Sequence, residues 1–536
     1  MEPLIASLLR PGAYDHPVEA VQLLQTHISW ILLTGRTAYK IKKPLDLGFL
    51  DFSTLEKRRH VCAEELRLNR RLAPELYLGL RSIHGPADQA SFSGDGEEIE
   101  VAVQMRQFRQ EDLLPAVLQR GMPEDQLLDL MEALATRLAA FHAAATNAPQ
   151  ESDHGTAERV REPAFANLDV LERSLGGDRR LPRLNRWCRG EAERLESVFE
   201  GRRRAGRVRE AHGDLHLGNL VLHEGQIVVF DCLEFNPSLR WIDVISDIAF
   251  LAMDLQRHRR GVLAAALLNR WLACSGDYGG LATWRWYFAY RALVRAKVTS
   301  LRLAQLGDDA PAAERRWSQR DLHAYLHLAA AVQRPSRPML LITHGVSGSG
   351  KSHLARRLAR SLGWLHIRSD VERQRLFGRW GEPCGTPLLG DPYAPQVSER
   401  LYRQRLDGCC TAALEAGLSV ICDATFLQRR QRHHFRALAA RLGVRFAILS
   451  CACTPEQARS RIVSRLERGE DPSEADPAVL ERQLVRLEPL DADERRCSLE
   501  LPAGLPPSQP PSQTPSGSVA AVDPFMALER QLRAWP

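Results

Sequence analysis

The chain has 536 residues and carries 72 basic against 66 acidic side chains, a net charge of +6. Apolar residues make up 44% and charged residues 26%, ordinary globular usage that excludes a fibrous or disordered chain, and the length calls for two to four compact units. The longest wholly apolar run, Val262 to Leu268, is far shorter than the roughly 20 residues of a membrane-spanning helix, and +6 is too mild to announce a nucleic-acid binder. The first residues have no basic stretch followed by a long apolar region, so no secretory leader is expected. The eleven cysteines show no zinc spacing and read as reduced thiols of a cytoplasmic protein. Only six lysines occur, at 40, 42, 43, 57, 297 and 351, so each marks a place where a compact point charge is favoured over a planar guanidinium.

In chain order, residues 27–33 and 36–43 read as a β-hairpin across Thr34-Gly35. Residues 54–72 space their apolar positions helically and stop before Pro74, which predicts a helix. A strand follows over 99–108. Helical patterns then run to about residue 331, interrupted by a strand at 226–231. QRPSRP, residues 333–338, reads as a linker. From 339 to 500 strands and helices alternate, which implies a parallel sheet with helices on both faces. Residues 501–518 are rich in Pro and Ser and read as unstructured, and the last residues form a short amphipathic helix able to dock back. The expected divisions are 1–332, with lobes of about 1–106 and 109–332, then 339–500, then a tail of 501–536.

GVSGSGKS, residues 345–352, meets the pattern G-x-x-x-x-G-K-[ST] after an apolar strand and at the start of a helix. The backbone of Gly345, Val346, Ser347, Gly348, Ser349 and Gly350 would cradle phosphates, Lys351 would reach the β- and γ-phosphates, and the Ser352 hydroxyl would hold Mg²⁺. Asp370 ends the next strand, either as the base for an acceptor hydroxyl or as a helix cap. Asp423 ends a third strand, as metal support or as an acceptor-binding group. Arg459, Arg461, Arg465 and Arg468 follow on one helix, where Arg461 and Arg465 share a face, as a cationic lid or as a solvated surface. These motifs resemble those of the small P-loop kinases of the polynucleotide kinase, gluconate kinase and zeta-toxin type.

AHGDLHLGNLVL, residues 211–222, sets Asp214 five residues before Asn219, and Asp231 follows twelve residues later. That is the spacing of base and metal ligands in the kinase loop H-R-D-x-x-x-x-N, and HGDLHLGN resembles the aminoglycoside phosphotransferase-like family. The resemblance implies Asp214 as catalytic base and Asn219 and Asp231 as metal ligands. It also implies a strand lysine, Lys40 or alternatively Lys42, paired with a helix glutamate, Glu65 or alternatively Glu64. Residues 105–107 would be the adenine-contacting hinge. Asp243 and Asp247 would brace the catalytic loop, and Lys297 would serve helix packing or the surface. No glycine-rich phosphate loop accompanies this half; the hairpin offers only Gly35.

The whole chain resembles bifunctional bacterial proteins that fuse an aminoglycoside phosphotransferase-like domain to a P-loop kinase-like domain. The implied fold is an α+β, protein-kinase-like, two-lobed domain followed by an α/β P-loop domain with a parallel sheet. The implied activity is ATP- and Mg²⁺-dependent phosphoryl transfer to a hydroxyl of a small molecule, with neither nucleic acid nor membrane expected as a partner. The alternatives are a regulatory nucleotide-binding protein (a pseudokinase joined to a P-loop ATPase) and a polynucleotide 5′-kinase-like second half that binds through the basic helix 428–441.

Overall fold

The computed structural model describes residues 2–500 apart from 47, 49, 95, 307–310, 384 and 469–471, together with 524–535. The chain forms two compact units, Met1–Pro163 with Phe199–Asp254 and Ala164–Val198 with Leu255–Pro536. The division runs through the helices Ala157–Ser174, Arg180–Arg204 and Val244–Arg257. No helix among the described residues is long and apolar enough to cross a membrane. The described cysteines are all free thiols.

The first unit is built on a five-stranded antiparallel sheet of β1 (Gln22–Gln25), β2 (Ser29–Leu33), β3 (Thr37–Lys42), β4 (Tyr77–His84) and β5 (Glu98–Arg106), in the order β1-β2-β3-β5-β4. The expected hairpin is β2-β3, pairing Leu33 with Ala38 and Ser29 with Lys42. β1 and β4 carry weaker signals, β1 for its polar ends and β4 for Gly79 and two irregularities in its pairing. Side chains alternate along β3. Tyr39 and Ile41 join Leu32, Ile83 and Ala102 in one core, while Ala38, Lys40 and Lys42 face the helix Leu55–Asn69. Thr54 caps that helix by accepting from Lys57 N, and Cys62, Glu65 and Leu68 are buried along it. Further on, β6 (Val208–Glu210) pairs with β9 (Trp241–Asp243), and β7 (Leu220–His223) with β8 (Gln226–Val229), both antiparallel.

The second unit holds the helices Gly261–Ser275, Trp284–Gln305 and Ala312–Ala331 and a parallel sheet. Its strands are β10 (Met339–His344), β11 (Leu365–Arg368), β12 (Val420–Asp423), β13 (Arg445–Ser450) and β14 (Ser498–Glu500), in the order β11-β12-β10-β13-β14. All six residues of β10 are buried, as its central place requires. Residues 501–518 lie outside the described residues. The helix Pro524–Arg533 docks Phe525, Leu528 and Leu532 into the same core as Met339 and Leu341, and Trp535 Nε1 donates to Phe446 O at 3.1 Å.

β11 is an edge strand, and its open edge is covered from within the unit. Asn269, on the helix Gly261–Ser275, donates to Trp364 O (2.8 Å) and accepts from His366 N (2.7 Å), so one side-chain amide stands where a further strand would pair. The next helix, Ser369–Leu376, is anchored to the same place. Arg375 is fully buried and donates to the carbonyls of Ala273, Cys274 (3.3 Å), Trp380 (3.3 Å) and Glu382 (2.9 Å). Trp380 Nε1 adds a bond to Ala273 O at 2.8 Å.

Candidate active sites

In the first unit the loop 211–219 is fixed by buried carboxylates. Asp247 accepts from His212 N (2.8 Å) and Gly213 N (3.0 Å), and Asp254 accepts from Leu217 N at 2.9 Å. Gly213 has φ +86, and a Cβ there would stand 2.6 Å from Leu239 O, so only glycine fits this turn. The His212 ring contacts Phe230 O at 3.1 Å, and burial pushes its titration down. Asp243, expected as a second brace of this loop, instead forms a two-bonded pair with Arg202 at 2.5 and 2.7 Å. It ties the helix Arg180–Arg204 to β9.

The loop delivers Asp214 and Asn219 side by side. Asn219 Nδ2 donates to Asp214 Oδ2 (3.1 Å) and to Asp214 O (3.0 Å), and His216 Nε2 lies 3.3 Å from Asp214 Oδ2. Lys40 meets Glu65 Oε1 at 2.8 Å and Asp231 Oδ1 at 2.5 Å. Glu64 turns away to Arg67 at 2.9 Å. Lys42 lies on the same strand face, in ion-pair contact with Glu65 Oε2 at 2.6 Å and hydrogen-bonded to Glu234. Burial alone would raise the Glu65 carboxyl, but the two lysines hold it at about 2. Burial likewise opposes the Lys40 charge, yet Asp231 and Glu65 carry its titration well above the usual lysine range. Glu234 is the member of this cluster that sequence reasoning missed. The available signal was a second lysine on a buried strand face, which demands a second buried acid.

At the end of β5, Gln107 N donates to Arg36 O (2.9 Å), and the Gln107 side chain accepts from Gly35 N (2.9 Å). Lys297 sits partly buried on the helix Trp284–Gln305, where burial pushes its ammonium down.

In the second unit Ser347, Gly348 and Gly350 line a cavity of about 690 Å³ with Lys351, Ser352, Asp370, Asp423, Arg461, Arg465 and Arg468. Gly348 has φ +80, and a Cβ there would lie 2.4 Å from Ala458 O. Val346 anchors the loop in a small core with Leu427, Ala458, Ile462 and Leu480. Lys351 is buried, donates to Val346 O at 2.7 Å, and is pushed down by burial. Ser347 N is engaged by Gln483 Oε1 at 2.7 Å, and Gln483 Nε2 donates to Ser347 Oγ at 3.0 Å. Ser349 Oγ is buried without a hydrogen bond.

Around the cavity, Asp423 pairs with His366 Nε2 at 3.0 Å. Burial works against its charge, but that bond and the nearby cations hold the Asp423 carboxyl below the usual range. Asp370 lies in the first turn of the helix Ser369–Leu376, whose N-cap is Arg368, with no side-chain cap. The carboxylate of Asp370 is therefore not a cap. Arg461 donates to Gly348 O at 3.3 Å and Arg465 to Ala475 O at 2.6 Å, while Arg459 turns outward to Glu481.

A second cavity, about 320 Å³, shares Arg373, Tyr393, Thr425 and Gln483 with the first. Arg373 is 8% exposed and lies over the Tyr393 ring at 4.6 Å. One of its nitrogens donates to Pro392 O at 2.7 Å, and its Nε is buried without a hydrogen bond. No carboxylate among the described residues pairs with it. The basic helix beyond this cavity is partly consumed by the fold, since Arg432 is buried against Glu494 at 2.7 and 2.9 Å.

The family model described as "Phosphotransferase enzyme family" matches residues 58–287, and the one described as "AAA domain" matches residues 340–490. Over 466 residues, 84% of this chain and 88% of the relative, the sequence is 32% identical to Uncharacterized protein Rv2004c of Mycobacterium tuberculosis. The same figures hold for Uncharacterized protein Mb2027c of Mycobacterium bovis. Among solved structures, a gluconokinase from Sinorhizobium meliloti 1021 is 21% identical, covering 32% of this chain and 86% of that one, with TM-score 0.21. A Plasmodium vivax ethanolamine kinase is 11% identical, covering 57% of this chain and 81% of that one, with TM-score 0.33.

Proposed function

This chain belongs to the family of the mycobacterial protein Rv2004c, with a phosphotransferase-family domain ahead of a P-loop kinase-like AAA domain, and from that premise we propose an ATP- and Mg²⁺-dependent phosphotransferase with two nucleotide sites. Each site would pass a γ-phosphoryl group to a hydroxyl of a small molecule. The observation that carries this reading is the closure of long chain separations onto one charge cluster. Lys40 bridges Glu65, 25 residues away, and Asp231, 191 residues away, beside a carboxylate-amide pair suited to proton abstraction and metal binding.

In the first half Asp214 would take the acceptor proton, with its carboxylate aimed by the Asn219 amide. Asn219 uses its nitrogen on Asp214, and Asp231 uses one oxygen on Lys40. The Asn219 amide oxygen and the second Asp231 oxygen are the donors that would hold Mg²⁺. Bound there, the metal neutralises phosphate charge that otherwise repels the acceptor. In the second half Lys351 and the loop amides would hold phosphates, Ser352 and Asp423 would serve the metal, Arg461 and Arg465 would neutralise charge developing in transfer, and Asp370 would accept the hydroxyl proton. A buried guanidinium without a carboxylate favours an anionic ligand, so Arg373 supports an acceptor for this half that carries a carboxylate or phosphate besides its hydroxyl. Asp370 and Arg373 are three residues apart on one helix and line the same cavity, which suits a small acceptor with the two groups close together.

The test is a metabolite-library screen with labelled ATP on the full chain and on Asp214→Asn and Lys351→Ala. Acceptor-dependent transfer that disappears in one variant or the other assigns each half. A fluorescent ATP analogue should find two sites in the parent, one in Lys351→Ala and two in Asp214→Asn. Slow, acceptor-independent hydrolysis alone, with a single site abolished by Lys351→Ala, would refute the two-site kinase and turn the reading to a regulatory nucleotide sensor.

A further inference from the structure

Lys42 is a second buried lysine that the reading above leaves without a task. Because side chains alternate along a strand, β3 turns Lys40 and Lys42, two positions apart, to the same face. Glu65 stands against both. Its Oε1 is 2.8 Å from Lys40 and its Oε2 is 2.6 Å from Lys42. The Lys42 side chain has no solvent exposure and is closed on its far side by Glu234, itself buried. The charges run in a row, Asp231–Lys40–Glu65–Lys42–Glu234, three carboxylates alternating with two ammonium groups.

The two ends of the row differ. At one end Asp231 has a side chain 41% exposed, and Lys40 itself retains some exposure. That is the end a ligand can reach. At the other end Lys42 and Glu234 are sealed, so Lys42 cannot touch a nucleotide. It can act only through Glu65. In a buried setting Coulomb forces are weakly screened. A Glu65 with one ammonium partner would therefore direct its whole charge at Lys40 and hold it back from incoming phosphates. With Lys42 on its second oxygen, that pull is divided. Lys42 and Glu234 also pin the carboxylate from behind, so Glu65 keeps its place when Lys40 exchanges Asp231 for a phosphate.

We propose that Lys42, held by Glu234, is a positioning residue that fixes Glu65 and frees Lys40 to engage the nucleotide phosphates of the first half. The inference rests on the reading that Lys40 handles nucleotide there. Glu234 takes part only by keeping Lys42 in register.

The experiment titrates a fluorescent ATP analogue with Mg²⁺ into the full chain in a Lys351→Ala background, so that only the first site reports. Lys40→Met should weaken the analogue at least tenfold. The paired variant Lys42→Met/Glu234→Gln, which removes the sealed charges together, should weaken it by about as much. Combining it with Lys40→Met should add almost nothing, because non-additivity is the mark of residues acting through one another. Glu234→Gln alone keeps an oxygen for Lys42 and serves if the paired variant does not fold. It should cost a few-fold in affinity when Lys40 is present and nothing when residue 40 is methionine. Equal losses with and without Lys40 would show a merely structural ion pair and overturn the inference alone. An unchanged affinity in Lys40→Met would overturn the nucleotide reading of this site and the inference with it.

Discussion

Replacing Lys351 by methionine should make the ligand-free protein more stable and the ATP-bound protein less so. The Lys351 ammonium is buried, and its one hydrogen bond goes to a backbone carbonyl, Val346 O at 2.7 Å. No carboxylate among the described residues lies within ion-pair distance, and burial is the largest influence on its titration, downward. Losing the bond to Val346 O costs about 1 kcal/mol. Removing an unpaired buried charge in favour of an apolar chain of similar length returns more, for a net gain of about 1–2 kcal/mol. That corresponds to roughly 2–8 °C in the melting temperature of a domain of this size. With Mg²⁺-ATP at about 100 times its dissociation constant, the parent gains about 2.7 kcal/mol from the loop, a gain denied to the variant. Scanning calorimetry with and without nucleotide should show the order of the two proteins reverse. A variant less stable than the parent without ATP would refute the assignment of Lys351 as a charge held against its own folding cost. Equal stabilisation of both by ATP would remove the loop as a nucleotide site.

Asn219→Ala and Asp231→Asn should each abolish phosphoryl transfer by the first half, read as acceptor-dependent ATP consumption, and near-normal turnover in either would contradict their assignment to the metal. Arg375→Met should destabilise the second unit by about 3–5 kcal/mol, because it leaves the buried Glu372 short of a partner and four carbonyls short of a donor; chemical denaturation measures it, and a loss under 1 kcal/mol would discount the anchor. By the same geometry a fragment of residues 336–500 should melt well below one of residues 255–536, since the shorter piece bares the edge of β11 that Asn269 covers; equal melting would refute this. His344 is buried against Phe426 O at 3.1 Å, and burial pushes its titration down. The unfolded chain therefore takes up a proton below about pH 6.5 that the folded one does not, and stability should fall as pH falls from 6.5 to 5, by at most about 1.4 kcal/mol per pH unit for this group. The window lies above the range of the depressed carboxylates, Glu65 and Asp491, both held at about 2. Melting curves of His344→Gln should be flatter over that window, and an unchanged slope would show that His344 is protonated in the fold.

The two chemical motifs were legible in the sequence because their chemistry demands contiguity. A phosphate cradle needs successive amides, and a base and a metal ligand on one loop need a fixed interval, so 345–352 and 212–219 stand out as strings. The partnership of Lys40 and Glu65 was legible up to a neighbour, since helix and strand periodicity name a face but not which of two adjacent glutamates meets it. A second buried acid was implied by the second lysine, but that it is Glu234 was not legible. Its role exists only because β3 turns Lys42 inward, and nothing in DCLE distinguishes a glutamate that closes a buried row from one on a surface. The short strands β1, β6 and β9 escaped for lack of length, and Asp243 was misassigned because its partner, Arg202, lies 41 residues away.

The arginines make the limit plainest. Arg373 and Arg375 stand two apart on one helix in a chain with few lysines, and composition treats them alike. In the fold they part. Arg375 spends its planar fork on four carbonyls and one carboxylate, a geometry that a lysine's three donors could not satisfy. Arg373 turns to a cavity, stacks on Tyr393 and keeps a buried nitrogen without a partner. One is fully employed by the structure, whereas the other carries a charge the structure leaves uncompensated. That difference in satisfaction separates a residue that builds the site from one that waits on a ligand, and it exists only in the folded arrangement of both partners.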